Sequence, residues 1–507
     1  MNYKNYIYTA LLLAATLTTS CSDMEEEPYG IINSVSFYKT ADDAESAIIY
    51  AYANLPEVGY YSRGYYMVTE LPTENLTQKG DAGVGNFELD ELRTTATNSN
   101  LQDLWTYMYR GISRANAIIT NVPNVPNMAE ADQNQIIGEG YFLRALHYFN
   151  LVRLFGEVPL RLENITEASQ VPIAKSSIQE VYNTIISDLQ QAESLLTAEK
   201  ISEGRANRVA IQALLAKVYL HLASSKSSGS PGYEFVSSAD DMYAQAKTYA
   251  GKVINEQSTY GFTESLVDIW NTEVYKTATV SEHIFDAAVD RSGEIESNYS
   301  KLPNMFLPSD RAMIIPYDPL NSASAKINIG QGWGHFRTES AIYNAYADND
   351  KRKTQLIVSK YTSEDGTTYN LDITSSSRPF SRKYIDPLRV GDKSSVNSSI
   401  IRYSDILLVY AEAAGPTAEG YAAINKIRAR AGIGDLNPAL GLEAFRDAVI
   451  EERALELAFE GHRLFDLRRT NSVEEILEYK YGKSITSGAY FFPIPQVEID
   501  MNPLIQQ

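Results

Sequence analysis

Cysteine is almost missing from this chain: 507 residues hold one, at position 21. An internal disulfide and a cysteine-based zinc cluster are therefore excluded, and the lone thiol must be explained by where it stands. Histidine is scarce as well. His147, His221, His283, His335 and His462 lie far apart and form no HExxH or related zinc pattern. Basic residues are outnumbered, 44 Lys and Arg against 64 Asp and Glu, for a net charge of −20 with no Lys/Arg-rich block. That balance argues against nucleic acid as a partner, because phosphate binding needs a basic face. An acidic surface also favours neutral ligands over anionic ones. Past residue 20, no apolar run approaches the ~20 residues of a membrane span.

Motifs of nucleotide, nucleophilic and calcium chemistry are missing too. "GKS" at Gly482 has Leu477 where a phosphate loop needs glycine. "GEGYFL" at Gly138 lacks the third glycine of a dinucleotide fingerprint and lies inside a helical pattern. There is no nucleophile elbow, and "DNDKRK" at Asp348 lacks the central Gly and closing Glu of an EF-hand. No cofactor or metal is expected.

What is present begins at the front. Residues 1–20 have a cationic start, an apolar segment "IYTALLLAATL" and small residues up to Cys21, the arrangement of a bacterial lipoprotein signal. One departure is Thr18, where leucine is usual three places before the cysteine. Cys21 is accordingly expected to become a lipid-bearing amino terminus, since several acyl chains anchor where one would not. Residues 21–36 then form an acidic tether, whose "SDMEEEP" resembles the tag that sends such lipoproteins to the outer face of the outer membrane.

Over 37–257 apolar residues recur at helical spacing in six segments, beginning at Asp42, Asn100, Asp132, Ser177, Ala206 and Ala239. Long helices with no strong strand signal between them predict a mainly α, tetratricopeptide-like helical-repeat scaffold. "SSKSSGSPG" from Ser224 reads as a loop. Residues 258–399 are rich in Gly, Pro, Ser, Asn and Tyr and lose the helical period except near "RTESAIYNAYADND", predicting a loop-rich insertion. Over 400–507 helices return. "LEAFRDAVIEERALELAFEGHRLFDLRRT" reads as one long helix and the three-proline tail "FFPIPQVEIDMNPLIQQ" as extended.

Within that long segment Glu451, Glu452, Glu456, Glu460, His462 and Arg463 could suggest paired catalytic carboxylates. Their i,i+4 spacing, with Arg453, Arg463, Arg468 and Arg469 close by, favours a structural ion-pair network. Arg144 and His147 read the same way.

Tyrosine is the one conspicuous excess: 35 against 16 phenylalanines. Its flat apolar face suits the C–H side of a sugar and its hydroxyl the polar edge. Tyr50, Tyr107, Tyr148 and Tyr219, within helical patterns, are expected to pack at helix seams. Loop aromatics lack such a role. "GYYSRGYYMVTE" offers Tyr60, Tyr61, Arg63, Tyr65 and Tyr66; "KGDAGVGNFELDE" offers Asp81, Asn86 and Phe87; "NIGQGWGHFRTE" offers Trp333 among three glycines with His335 and Arg337. Of these, Tyr61, Arg63, Tyr65, Tyr66, Asp81, Asn86, Phe87, Trp333 and Arg337 are the candidate ligand-binding residues. Trp105 and Trp270 are expected in the core.

Seven stretches in order, "LWTYMYRGISRANAII", "GEGYFLRALHYFNLVRLFGEVPL", "GRANRVAIQALLAKVYLHL", "IIRYSDILLVYAEA", "INKIRARAG", "EERALELAFEGHRLFDLRR" and the tail, resemble the SusD/RagB family of outer-membrane nutrient-binding lipoproteins. The resemblance implies helical pairs of tetratricopeptide type carrying a ligand surface on loops. It implies oligosaccharide, or in some members peptide, as ligand, and a SusC-like TonB-dependent transporter as partner. It also implies stacking aromatics with Asn, Asp or Arg in the two loop regions after residue 60 and around residue 333. A glycoside hydrolase and a purely protein-binding scaffold are the competing readings.

Overall fold

Polar residues ahead of the apolar-periodic segments decide where helices start. Thr40 and Ser177 each accept a hydrogen bond from the third helical residue, Asp43 or Glu180, whose carboxylate in turn accepts from the cap's own amide. Two donors that a helix start leaves bare are satisfied in each case. Asn98, Asn207 and Ser238 cap with the side-chain oxygen alone.

The computed structural model describes residues 37–506, apart from 201, 296–297, 320–322, 376 and 486–487. Cys21 and the expected signal and tether lie outside the described residues. The main helices are α1 (Ala41–Tyr52), α2 (Gly64–Glu70), α3 (Val84–Asp90), α4 (Ser99–Asn121), α5 (Glu130–Phe155), α6 (Ile178–Leu195), α7 (Arg208–Ser228), α8 (Ala239–Asn255), α9 (Tyr403–Ala414), α10 (Ala418–Ala431), α11 (Leu442–Glu456) and α12 (Arg463–Arg469). All six helical segments read from the first half are present, as α1 and α4 to α8. Packing runs along the chain: α4 on α5, α5 on α6, α7 on α8, α8 on α9 and α9 on α10. This is the mainly α, tetratricopeptide-like scaffold that the spacing predicts. α7 is buried on nearly every side, and its alanines at 210, 213 and 216 let its neighbours approach closely.

Four expectations are corrected. α7 continues through Ser228, so most of "SSKSSGSPG" is helical, and the chain leaves the helix at Gly229 in a left-handed conformation, φ +70°. The segment from Leu442 is two helices, because Phe459 and Gly461 take φ of +70° and +79° and turn the chain between α11 and α12. The tail forms a helix over Gln496–Met501 and a final turn, Pro503–Gln506; Pro495 and Pro503 sit at their starts, where a missing N–H costs nothing. Finally, α2 and α3 occupy segments read as loops.

The stretch 258–399 is short strands and turns with short helices, Thr272–Tyr275, Leu302–Phe306 and Lys351–Gln355 among them. β1 (Leu76–Gln78), from the first half, pairs antiparallel with β5 (Phe336–Thr338), and β2 (His283–Ala287) pairs with β10 (Ser398–Arg402). A four-stranded sheet runs in the order β4 (Lys326–Gly330), β3 (Met313–Pro316), β7 (Lys360–Thr362), β8 (Thr368–Asn370), and β6 (Ile357–Val358) pairs with β9 (Phe380–Ser381). Leu307, Met313, Ile315, Ile329, Tyr361 and Phe380 give this part a small core of its own. The helix in "RTESAIYNAYADND" is Ser340–Ala345.

Candidate ligand surface

The β1–β5 pair positions the site. Its register sets Thr77 opposite Arg337 and Gln78 opposite Phe336. The loop leaving β1, with Lys79 and Asp81, thereby meets the loop entering β5, with Trp333 and His335, although some 250 residues separate them in the chain.

Trp333 stands half-buried on a loop pinned by backbone bonds to the helical turn Leu302–Phe306 and the residues after it. Its N–H donates to the Asn304 carbonyl at 2.6 Å, Gly332 to Pro308 at 2.8 Å and Gly334 to Leu307 at 2.9 Å. A Cβ at Gly332 would come within 2.5 Å of the Leu307 carbonyl oxygen, so only glycine permits this approach. Gly334 takes φ +62°. Arg389 ties the loop further, donating to Asn304 Oδ1 at 2.9 Å and to the Gln331 carbonyl at 2.6 Å. Lys301 Nζ lies 5.7 Å from the Trp333 ring. His335, its ring 6.0 Å from that of Trp333, has a buried Nδ1 without a hydrogen-bond partner. Burial, with Lys79 and Arg63 near it, pushes its pKa down to about 4, so the imidazole is neutral at pH 7.

Of the other predicted residues, Arg63 and Asp81 lie close enough to act on His335, and Arg337 follows it on β5. Asp81 is exposed and pairs with Lys79 at 3.5 Å. Phe87 is partly exposed on α3, and Asn86 accepts from Asn100 Nδ2 at 3.0 Å, which ties α3 to the start of α4. Arg63 faces Asp103 at 4.0 Å and leaves its Nε buried and unpartnered. Arg337 is partly exposed on β5.

Tyr61, Tyr65 and Tyr66 are corrections. They are 2%, 6% and 1% exposed, inside the core rather than on a ligand surface. α2 carries Tyr65 and Tyr66, turning the second tyrosine pair inward. The rings of Tyr60 and Tyr61 pack tilted with centroids 4.4 Å apart, those of Tyr61 and Tyr65 at 4.6 Å, and Asn150 donates to both Tyr60 and Tyr61 hydroxyls. Gly64 allows the turn, since a Cβ there would fall 2.3 Å from the Gly59 carbonyl oxygen. Tyr50 differs in the other direction: it is exposed, with the Arg114 guanidinium 3.5 Å above its ring. Trp105 and Trp270 are in the core, as expected.

The acidic cluster of α11 is a buried ion-pair network, with partners other than those its spacing implies. Glu452 meets Arg352 and Arg428; Glu456 meets Arg352, Arg402 and Arg430; Glu460 meets Arg402 and Lys383. These cations come from β10, α10 and the insertion. The surrounding arginines hold the Glu456 carboxyl far below the ordinary range despite its burial. Of the four arginines named from sequence, Arg463 pairs with Glu74, Arg453 with Asp405 and Asp466, and Arg469 with Glu412 and Asp466. Arg468 instead donates to backbone carbonyls. Arg144 forms a two-point pair with Asp188 at 2.8 and 2.7 Å, and His147 meets the Tyr60 hydroxyl.

Sequence reasoning missed Lys79, Lys301, Arg378 and Arg389 at the site. A lone cation in a loop carries no periodic signal, and what brings these together is strand pairing across the chain.

Fold and site together define a helical-repeat protein that carries a loop-built, aromatic-centred surface. The chain belongs to the SusD/RagB family. The SusD family model matches residues 370–507, and the model described as "Starch-binding associating with outer membrane" matches 36–220. SusD-like protein P2 of Formosa agariphila is 29% identical over 498 residues, covering 93% of this chain and 92% of that protein. A solved laminarin-binding SusD-like protein superposes with a TM-score of 0.75 at 24% identity, over 92% of this chain and 99% of that one. Surface glycan-binding protein A of Bacteroides thetaiotaomicron, solved with laminarihexaose, does so with 0.70 at 21% identity, over 91% and 98%.

Proposed function

We propose that the protein is a cell-surface glycan-binding lipoprotein that captures an oligosaccharide and delivers it to a SusC-like TonB-dependent transporter in the outer membrane, without covalent chemistry of its own. The observation that carries this reading is the half-exposed Trp333 on a rigid glycine-flanked loop beside Arg63, Lys79 and Asp81. It pairs a flat apolar platform with directional polar groups, which sugar recognition needs. Laminarin binding and bound laminarihexaose in two structural neighbours, and the starch-binding description of the matching family model, support it. Cys21 is the proposed lipid anchor, and the insertion at 258–399 the main contributor to the ligand surface.

Isothermal titration with a panel of oligosaccharides tests the proposal. Wild-type protein should bind at least one saturably without releasing reducing ends. Trp333→Ala should weaken that binding about five- to 150-fold, as loss of a stacking aromatic costs on the order of 1–3 kcal/mol. Unchanged affinity in that variant would remove Trp333 from the site, and catalytic turnover of any glycan would replace binding by hydrolysis as the function.

A further inference from the structure

Next to Trp333 the surface opens into a cavity of about 130 Å³ with an aromatic floor of Phe306, Phe336 and Phe380. Two arginines line it, Arg337 and Arg378. Arg337 makes no ion pair or side-chain hydrogen bond among the described residues. Arg378 donates through Nη1 to the Thr338 carbonyl at 3.1 Å and to Glu339 at 3.3 Å, but its Nε is buried without a partner. The one carboxylate on the cavity wall, Asp310, is engaged by Arg311 at 3.2 Å. In a protein with 20 more acids than bases, Arg337 thus stands without an acid beside a buried N–H of Arg378 that has no acceptor. Most buried donors are paired, although Arg63, Arg208 and Arg430 also leave a buried Nε without an acceptor; what sets this cavity apart is a second arginine beside it, and arginine presents a planar fork matched to a two-oxygen anion.

We propose that this cavity takes the acid group of an anionic sugar, a uronate carboxylate or a sulfate ester, while its ring or the adjoining one rests on Trp333. The inference depends on the glycan-binding reading and narrows its ligand class. It also reverses the preference for neutral ligands that net charge implies, because a two-point contact acts at hydrogen-bond range while distant surface acids are screened by salt.

The test is an array carrying neutral glycans together with uronate-containing and sulfated ones, probed with wild type, Arg337→Ala, Arg337→Lys and Trp333→Ala. Each anionic hit is then titrated beside its carboxyl-reduced or desulfated form. Wild type should prefer the anionic form about ten- to a hundredfold, the span expected of hydrogen bonds to a charged group. Arg337→Ala should abolish that preference, Arg337→Lys should restore part of it, and added salt should reduce it. Whether carboxyl reduction or desulfation removes binding tells the two acid groups apart. Binding confined to neutral glycans, or a preference unmoved in Arg337→Ala, would overturn the anionic assignment and leave glycan capture standing. Binding of nothing on the array would overturn both.

Discussion

At the scale of single residues, position overrides type. Tyr61, Tyr65 and Tyr66 have the chemistry of sugar-stacking residues and the burial of core residues, whereas Trp333 keeps a face free because glycines let its loop lie against residues 304–308. Glu70 on α2 carries a testable cost of burial. It accepts hydrogen bonds from Asn75 and from the Gly461 amide, yet desolvation pushes its pKa up to about 7, above the ordinary 4.5. A carboxyl raised in this way favours the folded state below about pH 4.5, and that contribution is lost as pH rises through 7. Between pH 5 and 8 the wild type should therefore lose on the order of 2–3 kcal/mol that Glu70→Gln does not lose. Denaturant unfolding of both proteins across that range measures it, and parallel stability curves would refute it.

Among elements, the junction of α11 with β10, α10 and the insertion is held by charge. Removing one member of a buried ion pair strands the others, so Glu456→Gln should destabilise the fold by about 3–5 kcal/mol. Its pH dependence has the opposite sign to that of Glu70. The folded-state pKa of Glu456 is depressed, so its contribution is present above about pH 4.5 and disappears as pH falls toward the folded value. Acid unfolding of the wild type should be steeper than that of Glu456→Gln, which thermal melts at descending pH would reveal. Gly332 governs the loop in the same structural sense. Gly332→Ala should shift the loop, weaken oligosaccharide binding and lower the melting temperature measurably, since the added Cβ meets backbone atoms of the buried Leu307 and Asn304. Equal affinity in that variant would detach the pinned geometry from binding.

For the whole molecule, the anchor can be checked without knowledge of the ligand. Cys21→Ser should yield a chain that takes up no labelled palmitate and is absent from the cell surface, scored by proteolysis of intact cells, and labelling of that variant would exclude Cys21 as the lipid site. Much of the architecture was legible beforehand. The helical periods of α1 and α4 to α8 are local, set by residues within a turn or two of each other, and so the scaffold could be read from order alone. The break between α11 and α12 was not, because an apolar stripe continues through it while Phe459 and Gly461 reverse the backbone. Nor could spacing reveal that Glu456 meets Arg352, Arg402 and Arg430, or that Lys79 reaches the Trp333 loop, since those encounters close long stretches of chain. Local repetition by itself determined the helices and their stacking; which aromatics are covered, which acids are paired and which arginine is left facing a cavity were decided only when strands distant in the chain came together.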